Sequence, residues 1–178
     1  MRYANIILDD TANGEGVRVS LFVSGCNRHC KGCFNKNAQS FEYGELYTPK
    51  TEKLILTHLD LPYVAGLSIL GGEPLDQTPD GKHDLLYLIA KAKDMDKTVW
   101  LWTGYTWEDI AENGGAMSRG LIGWVDVVVD GPYVEELRDI SLPFRGSSNQ
   151  RIIDVKRTLD AGCVVLYSKY YDEVNADD

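Results

Sequence analysis

Four times between Val17 and Tyr133 the chain repeats one device. A short run rich in β-branched or aromatic residues stops at a polar, glycine-bearing loop. The runs are Val17–Val23, 66–70, Thr98–Trp102 and 124–129. The loops after them begin Ser24-Gly25-Cys26, Gly71-Gly72-Glu73-Pro74, Thr103-Gly104-Tyr105 and Asp130-Gly131-Pro132-Tyr133. Segments with helical spacing lie between the runs, and such alternation predicts parallel strands joined by right-handed crossovers. In a parallel sheet the four loops leave by one edge, the C-terminal edge, where α/β proteins place their sites. A full eightfold barrel takes roughly 250 residues, and the chain has 178. The expected fold is therefore α/β: a partial (β/α) barrel or an open parallel sheet of about five to six strands, with the site at the C-terminal strand edge.

The remaining elements follow from local signals. A strand is expected at 3–8 and a turn at Asn13-Gly14. Residues 35–47 read as a polar, irregular connection. Thr48-Pro49 is an N-cap with proline at the first helical position, and the helix runs to Leu59 with Leu54, Ile55, His58 and Leu59 near one face. Residues 76–82 read as loop and 83–93 as an amphipathic helix turning Leu85, Leu86, Leu88, Ile89 and Ala92 inward. Thr106 caps a further helix with Asp109 at its third position, and Gly114-Gly115 ends it. A helical turn is expected at 134–138, a polar loop at 139–150, and strand-like pieces at 151–155 and 163–167; residues 156–161 stay undecided. One domain spans 1–171, with a polar tail at 172–178.

The net charge of −9 makes the chain a poor match for phosphate backbones, so nucleic acid is not expected as its partner. No window approaches the roughly 20 apolar residues of a membrane span. The N-terminus lacks the apolar core of a signal peptide. Four cysteines, three of them clustered, do not form a disulfide framework, and a cytoplasmic location is expected.

The chemistry concentrates in the first loop. Cys26, Cys30 and Cys33 have the spacing C-x3-C-x2-C, which lets three thiolates converge on a soft metal centre. A structural zinc site takes four protein ligands, and only His29 or Cys163 is left to complete one. A four-iron cluster held by three cysteines keeps one iron open for a ligand that is not protein. Cys163, at the head of an apolar run, reads as a small buried hydrophobe. Gly71-Gly72-Glu73 after a strand suits an ammonium ligand: the glycines admit close approach and Glu73 supplies charge. Its plainer reading is a tight turn. Thr103 can contact a ligand or merely end its strand, and Asp130 can bind a ribose hydroxyl or, as the plainer reading, cap a turn. The segment 145–151, Arg-Gly-Ser-Ser-Asn-Gln-Arg, either docks a partner or braces its own loop. Trp100, Trp102, Trp107 and Trp124 read as core or rim packing. No Ser-His-Asp arrangement, P-loop or spaced carboxylate pair gives hydrolytic chemistry a foothold.

The cysteine triad after an early strand, with Gly-Gly-Glu-Pro ending a later one, resembles the radical S-adenosylmethionine enzymes. Asn13-Gly14-Glu15-Gly16-Val17-Arg18, Cys33-Phe34-Asn35-Lys36, Trp102-Thr103-Gly104-Tyr105 and the segment 145–151 narrow the resemblance to those members that activate anaerobic ribonucleoside-triphosphate reductases. The resemblance implies a [4Fe-4S] cluster on Cys26, Cys30 and Cys33. It implies S-adenosyl-L-methionine as second cofactor, its amino group held by Gly71, Gly72 and Glu73. Contacts to the rest of the molecule would come from Gly32, Cys33, Phe34 and Thr103. It implies a protein substrate, the large subunit of the reductase, in which a glycyl radical is installed, and an electron donor such as flavodoxin. Many members carry an aromatic residue just before the third cysteine; here Gly32 stands there and Phe34 follows, so an adenine contact would come from the backbone of 32–34 or from the Phe34 ring. Three other readings remain open: activation of a different glycyl-radical enzyme or radical modification of a small molecule; a ferredoxin-like electron carrier, which needs a fourth thiol; and a zinc-stabilised interaction domain.

Overall fold

The computed structural model describes residues 1–171; the polar tail expected at 172–178 lies outside them. Seven strands form one open sheet: β1 (Arg2–Asp10), β2 (Val17–Val23), β3 (Glu45–Leu46), β4 (Val64–Gly71), β5 (Thr98–Trp102), β6 (Val127–Asp130) and β7 (Arg151–Asp154), in the order β3-β1-β2-β4-β5-β6-β7. The four strands β2, β4, β5 and β6 are mutually parallel neighbours. These are the four runs read from the sequence. The sheet exceeds the five to six strands expected because both flanks add antiparallel strands: β1 beside β2, β3 beside β1, and β7 beside β6. It does not close into a barrel.

Five α-helices accompany the sheet among the described residues: α1 (Pro49–Leu59), α2 (Pro79–Asp94), α3 (Trp107–Asn113), α4 (Ala116–Trp124) and α5 (Val155–Ala161). One main core joins Val19, Leu21, Leu67, Ile69, Val99 and Leu101 of the sheet to Ile55 and Leu59 of α1, Leu85, Leu88 and Ile89 of α2, and Leu121 and Ile122 of α4. The pleat sends alternate residues of β5 to the other face. There Trp100 packs with Val127, Val129 and Ile152, covered by Phe144, Tyr167 and Tyr170.

Several local expectations are corrected. Leu54 faces solvent, while Ile55 and Leu59 are buried. Residues 79–82 are not loop: Thr78 caps α2, its side chain accepting from the Gly81 N–H at 3.2 Å, with Pro79 at the first helical position. Residues 116–124 form α4, so Trp124 ends a helix, is exposed, and β6 starts only at Val127. The connection 35–47 holds a 3-10 turn, Lys36–Gln39, as well as β3. No strand forms at 163–167, where a lone bridge joins Leu166 to Ile153. Residues 156–161 are helical. Cys163 is exposed rather than buried, because it follows the left-handed Gly162 that ends α5.

Candidate functional site

All four parallel strands deliver their loops to one edge, and the loops enclose one cleft. Cys26, Cys30 and Cys33 line it together with Gly71, Gly72, Glu73, Thr103 and Gly131. Chain topology alone accounts for this meeting of segments up to about a hundred residues apart.

The cysteine loop is held by backbone. Gly25 N–H donates to Ala38 O at 2.8 Å and Cys26 N–H to Gln39 O at 3.0 Å. Gly25 and Gly32 have φ of +101° and +70°, a region that disfavours side chains. A Cβ at Gly32 would meet only the movable Glu135 carboxylate, at 2.5 Å, so it is the left-handed φ that strains an aromatic residue here. Phe34 instead is 86% exposed at the cleft rim. The three thiols are free and part-buried. Burial pushes the Cys26 thiol up, while the Arg28 N–H, 3.4 Å from Cys26 Sγ, favours its thiolate.

The second loop clamps the first. Gly72 N–H donates to Val23 O and Glu73 N–H to Gly25 O, both at 2.7 Å. A Cβ on Gly72 would lie 2.5 Å from Gly25 O, so the glycine serves a loop-to-loop contact. Gln77 Nε2 donates to Ser24 O at 2.9 Å, and Asp76 Oδ2 accepts from Asn27 N–H at 2.7 Å. Glu73 is buried, and its carboxylate accepts from Leu75 N–H (3.0 Å), Thr103 Oγ1 (2.9 Å) and Gly104 N–H (2.7 Å). Burial pushes its carboxyl up to about 7, against the pull of those three donors. Thr103 is thus a positioning residue: its hydroxyl serves Glu73 and accepts from Tyr105 N–H at 3.1 Å.

The third and fourth loops are braced from within. Asp130, fully buried, accepts from Arg151 at 2.5 Å and from Trp107 N–H at 2.7 Å. Glu108 and Asp130 together raise the Arg151 guanidinium well above its ordinary range. Gln150 Oε1 accepts from Gly146 N–H at 2.8 Å and its Nε2 donates to Gly131 O at 3.1 Å. Asn149 donates to Pro132 O. These partners favour the bracing role of 145–151. Sequence reasoning passed over Arg28, Asp76, Gln77 and Tyr133 as site residues; their only signal was position, Arg28 inside the cysteine triad, Asp76 and Gln77 beside Gly-Gly-Glu-Pro, and Tyr133 in the loop after β6.

What the donors fit follows from their chemistry. Three soft thiols suit iron or zinc. Among the described residues no three His, Cys, Asp or Glu side chains are gathered to hold a single metal ion. A four-iron cluster asks something else, since each thiolate takes a different iron. His29 is exposed, with its ring 3.4 Å from Gln39 Oε1, and is not part of the cleft lining. Cys163 lies near Val165, whose carbonyl accepts from Asp154, and Asp154 pairs with Val127 at the start of β6. That is the opposite sheet edge from the cleft. Cys163 thus lies away from the triad, and His29, beside Cys30, is exposed and turned to Gln39; the three thiols fit an iron–sulfur cluster. No helix among the described residues is long and apolar enough to cross a membrane.

Comparison with known proteins agrees. Residues 12–153 match the family described as a 4Fe-4S single cluster domain. The anaerobic ribonucleoside-triphosphate reductase-activating protein of Enterobacteria phage T4 is 39% identical over 154 residues, covering 85% of this chain and 93% of that one. Its counterpart from Vibrio cholerae is 38% identical over 156 residues, covering 85% and 97%. The Escherichia coli K12 protein of the same name is 36% identical over 154 residues, covering 84% and 96%. On the strength of this likeness along most of its length, and of a cleft that gathers the cysteine triad, the chain belongs to the family of anaerobic ribonucleoside-triphosphate reductase-activating proteins.

Proposed function

We propose that the chain is a radical S-adenosylmethionine enzyme that installs a glycyl radical on the large subunit of an anaerobic ribonucleoside-triphosphate reductase. The observation that carries this reading is the meeting of three free thiols and the Gly71–Glu73 turn in one cleft that the fourth cysteine does not line. Cys26, Cys30 and Cys33 would hold the [4Fe-4S] cluster. Gly71, Gly72 and Glu73 would hold the amino group of S-adenosylmethionine, and the turn at Gly32, Cys33 and Phe34 would face its adenine. Reduced by a carrier such as flavodoxin, the cluster would supply the electron that breaks the bond between sulfur and the 5′ carbon, and the released fragment would take a hydrogen atom from the reductase glycine. The residues themselves bind, orient and exclude water. Thr103 and Gly104 fix the Glu73 carboxylate, and Asp76, Gln77 and Gly72 lock the cysteine loop to the turn. The free thiols and the protein target suit a cytoplasmic setting.

The test is anaerobic reconstitution followed by dithionite and S-adenosylmethionine. 5′-Deoxyadenosine is expected, measured by chromatography, and its absence from a fully loaded sample sinks the proposal. Cys163→Ser separates this reading from an electron carrier with four thiolates. The variant is expected to keep the wild-type iron content and ultraviolet-visible spectrum, because Cys163 sits at the far sheet edge; loss of iron would favour the carrier.

A further inference from the structure

One cation in the cleft has no anionic partner. Arg28, between the first two cysteines, lines the cleft with the triad and Glu73. Its guanidinium carbon lies 4.6 Å from the centroid of the Tyr105 ring. That platform is itself fixed, since Tyr105 OH donates to Asp76 Oδ1 at 2.7 Å. Asp76 spends its other oxygen on Asn27 N–H, the residue next to Arg28. Among the described residues Arg28 forms no ion pair. Yet a buried carboxylate stands close by. A Cβ built on Gly104 would be 3.3 Å from Arg28 Nε and 3.5 Å from Glu73 Oε2. The two groups flank the same glycine without forming an ion pair.

A guanidinium and a carboxyl group held apart in a half-enclosed cleft match a ligand that carries both signs two bonds apart. The α-amino acid end of S-adenosylmethionine is such a ligand. Resting on the function proposed above, we infer that Arg28 receives the carboxylate of S-adenosylmethionine while Glu73 receives its amino group. A guanidinium offers parallel N–H donors that suit a carboxylate oxygen not engaged by iron. Its stacking on Tyr105 orders the side chain before the ligand arrives, which lowers the entropy cost of binding. Glycine at 104 keeps the space between the charges open: any side chain there would meet Arg28 Cγ at 3.2 Å.

The test uses protein reconstituted with its cluster, with affinity read by equilibrium dialysis. Loss of a charged hydrogen bond predicts that Arg28→Gln binds S-adenosylmethionine about tenfold or more weakly. Affinity for 5′-deoxyadenosine, which has no amino acid end, is expected to stay within about twofold of wild type. Arg28→Lys, keeping the charge and losing the fork, is expected to fall between, and serves in its place if Arg28→Gln loses iron. Equal S-adenosylmethionine affinity in wild type and variant overturns the role of Arg28. An equal fall for both ligands also overturns it, by making Arg28 a brace of the loop. Failure of the wild type itself to bind S-adenosylmethionine is a different result and defeats the underlying function.

Discussion

Arg18→Ala is expected to lose about 4 kcal/mol of stability or more, with a fall in Tm of about 10 °C or more. Arg18 is fully buried, and five hydrogen bonds leave its guanidinium. Nε donates to Ser68 Oγ at 2.7 Å; Nη1 to Glu15 O and Thr98 Oγ1; Nη2 to Leu67 O at 2.7 Å and Thr98 O at 2.9 Å. Burial pulls its pKa down to about 10, so it stays charged at neutral pH. It ties the starts of β2, β4 and β5 together. The alanine variant leaves the buried Leu67 carbonyl and Ser68 hydroxyl without their donor, each costing about 1–3 kcal/mol, strips the part-buried Glu15 and Thr98 acceptors, and opens a cavity besides. Arg18→Lys keeps a charge but has three donors on one nitrogen, and is expected to fall between the two. Urea unfolding followed by circular dichroism measures the loss; an alanine variant within about 1 kcal/mol of wild type would overturn this account.

Arg18 also marks the limit of what sequence can tell. It sits in a run, Val17–Val23, that any pattern rule reads as a strand, and nothing local says that its side chain is buried. Apart from Glu15 O, its acceptors lie 49 to 80 positions away. The glycines around it make sense only afterwards: a Cβ on Gly14 would meet Arg18 Cδ at 2.9 Å, and one on Gly66 would meet Thr98 O at 1.9 Å. Thr103 is a similar case, since its duty to Glu73 spans 30 positions. By contrast, the site edge was legible from chain order alone, because parallel strands must send their loops the same way. The two capping boxes, Thr48 with Thr51 and Thr106 with Asp109, are local and mark both helix starts. Thr78-Pro79 carries the same kind of signal as Thr48-Pro49, yet Asp80-Gly81 behind it reads as a turn; Thr78 caps α2 regardless. α4 was invisible for a plainer reason. Gly120 and Gly123 weaken its intrinsic helicity, and it holds because Leu121 and Ile122 reach the main core. Cys163 misled because its apolar neighbours suggested a strand, whereas Gly162 turns the chain at the surface.

The second large effect concerns Glu73, and its direction follows from the carboxyl being pushed up to about 7 by burial. A raised carboxyl binds its proton more tightly folded than unfolded, so its contribution to stability is greatest below the ordinary value of about 4.5. It declines as pH rises towards 7, by about 3 kcal/mol, and is level beyond. Ligand binding runs the other way, because the amino group of S-adenosylmethionine wants the ionised acceptor. Glu73→Gln removes the charge while keeping the volume, and it turns an amide NH2 towards donors already there, Leu75 N–H, Thr103 Oγ1 and Gly104 N–H. At pH 8 the variant is expected to bind S-adenosylmethionine about 10- to 100-fold more weakly than wild type. At pH 6 most of the wild-type carboxyl is protonated, and the ratio of the two affinities is expected to shrink by about tenfold. Comparing the two proteins at each pH cancels any titration of the ligand itself. The stability slope between pH 5 and 7 is expected to flatten in the variant. A ratio that stays constant from pH 6 to 8 would mean that Glu73 is ionised throughout, and that its three donors outweigh burial.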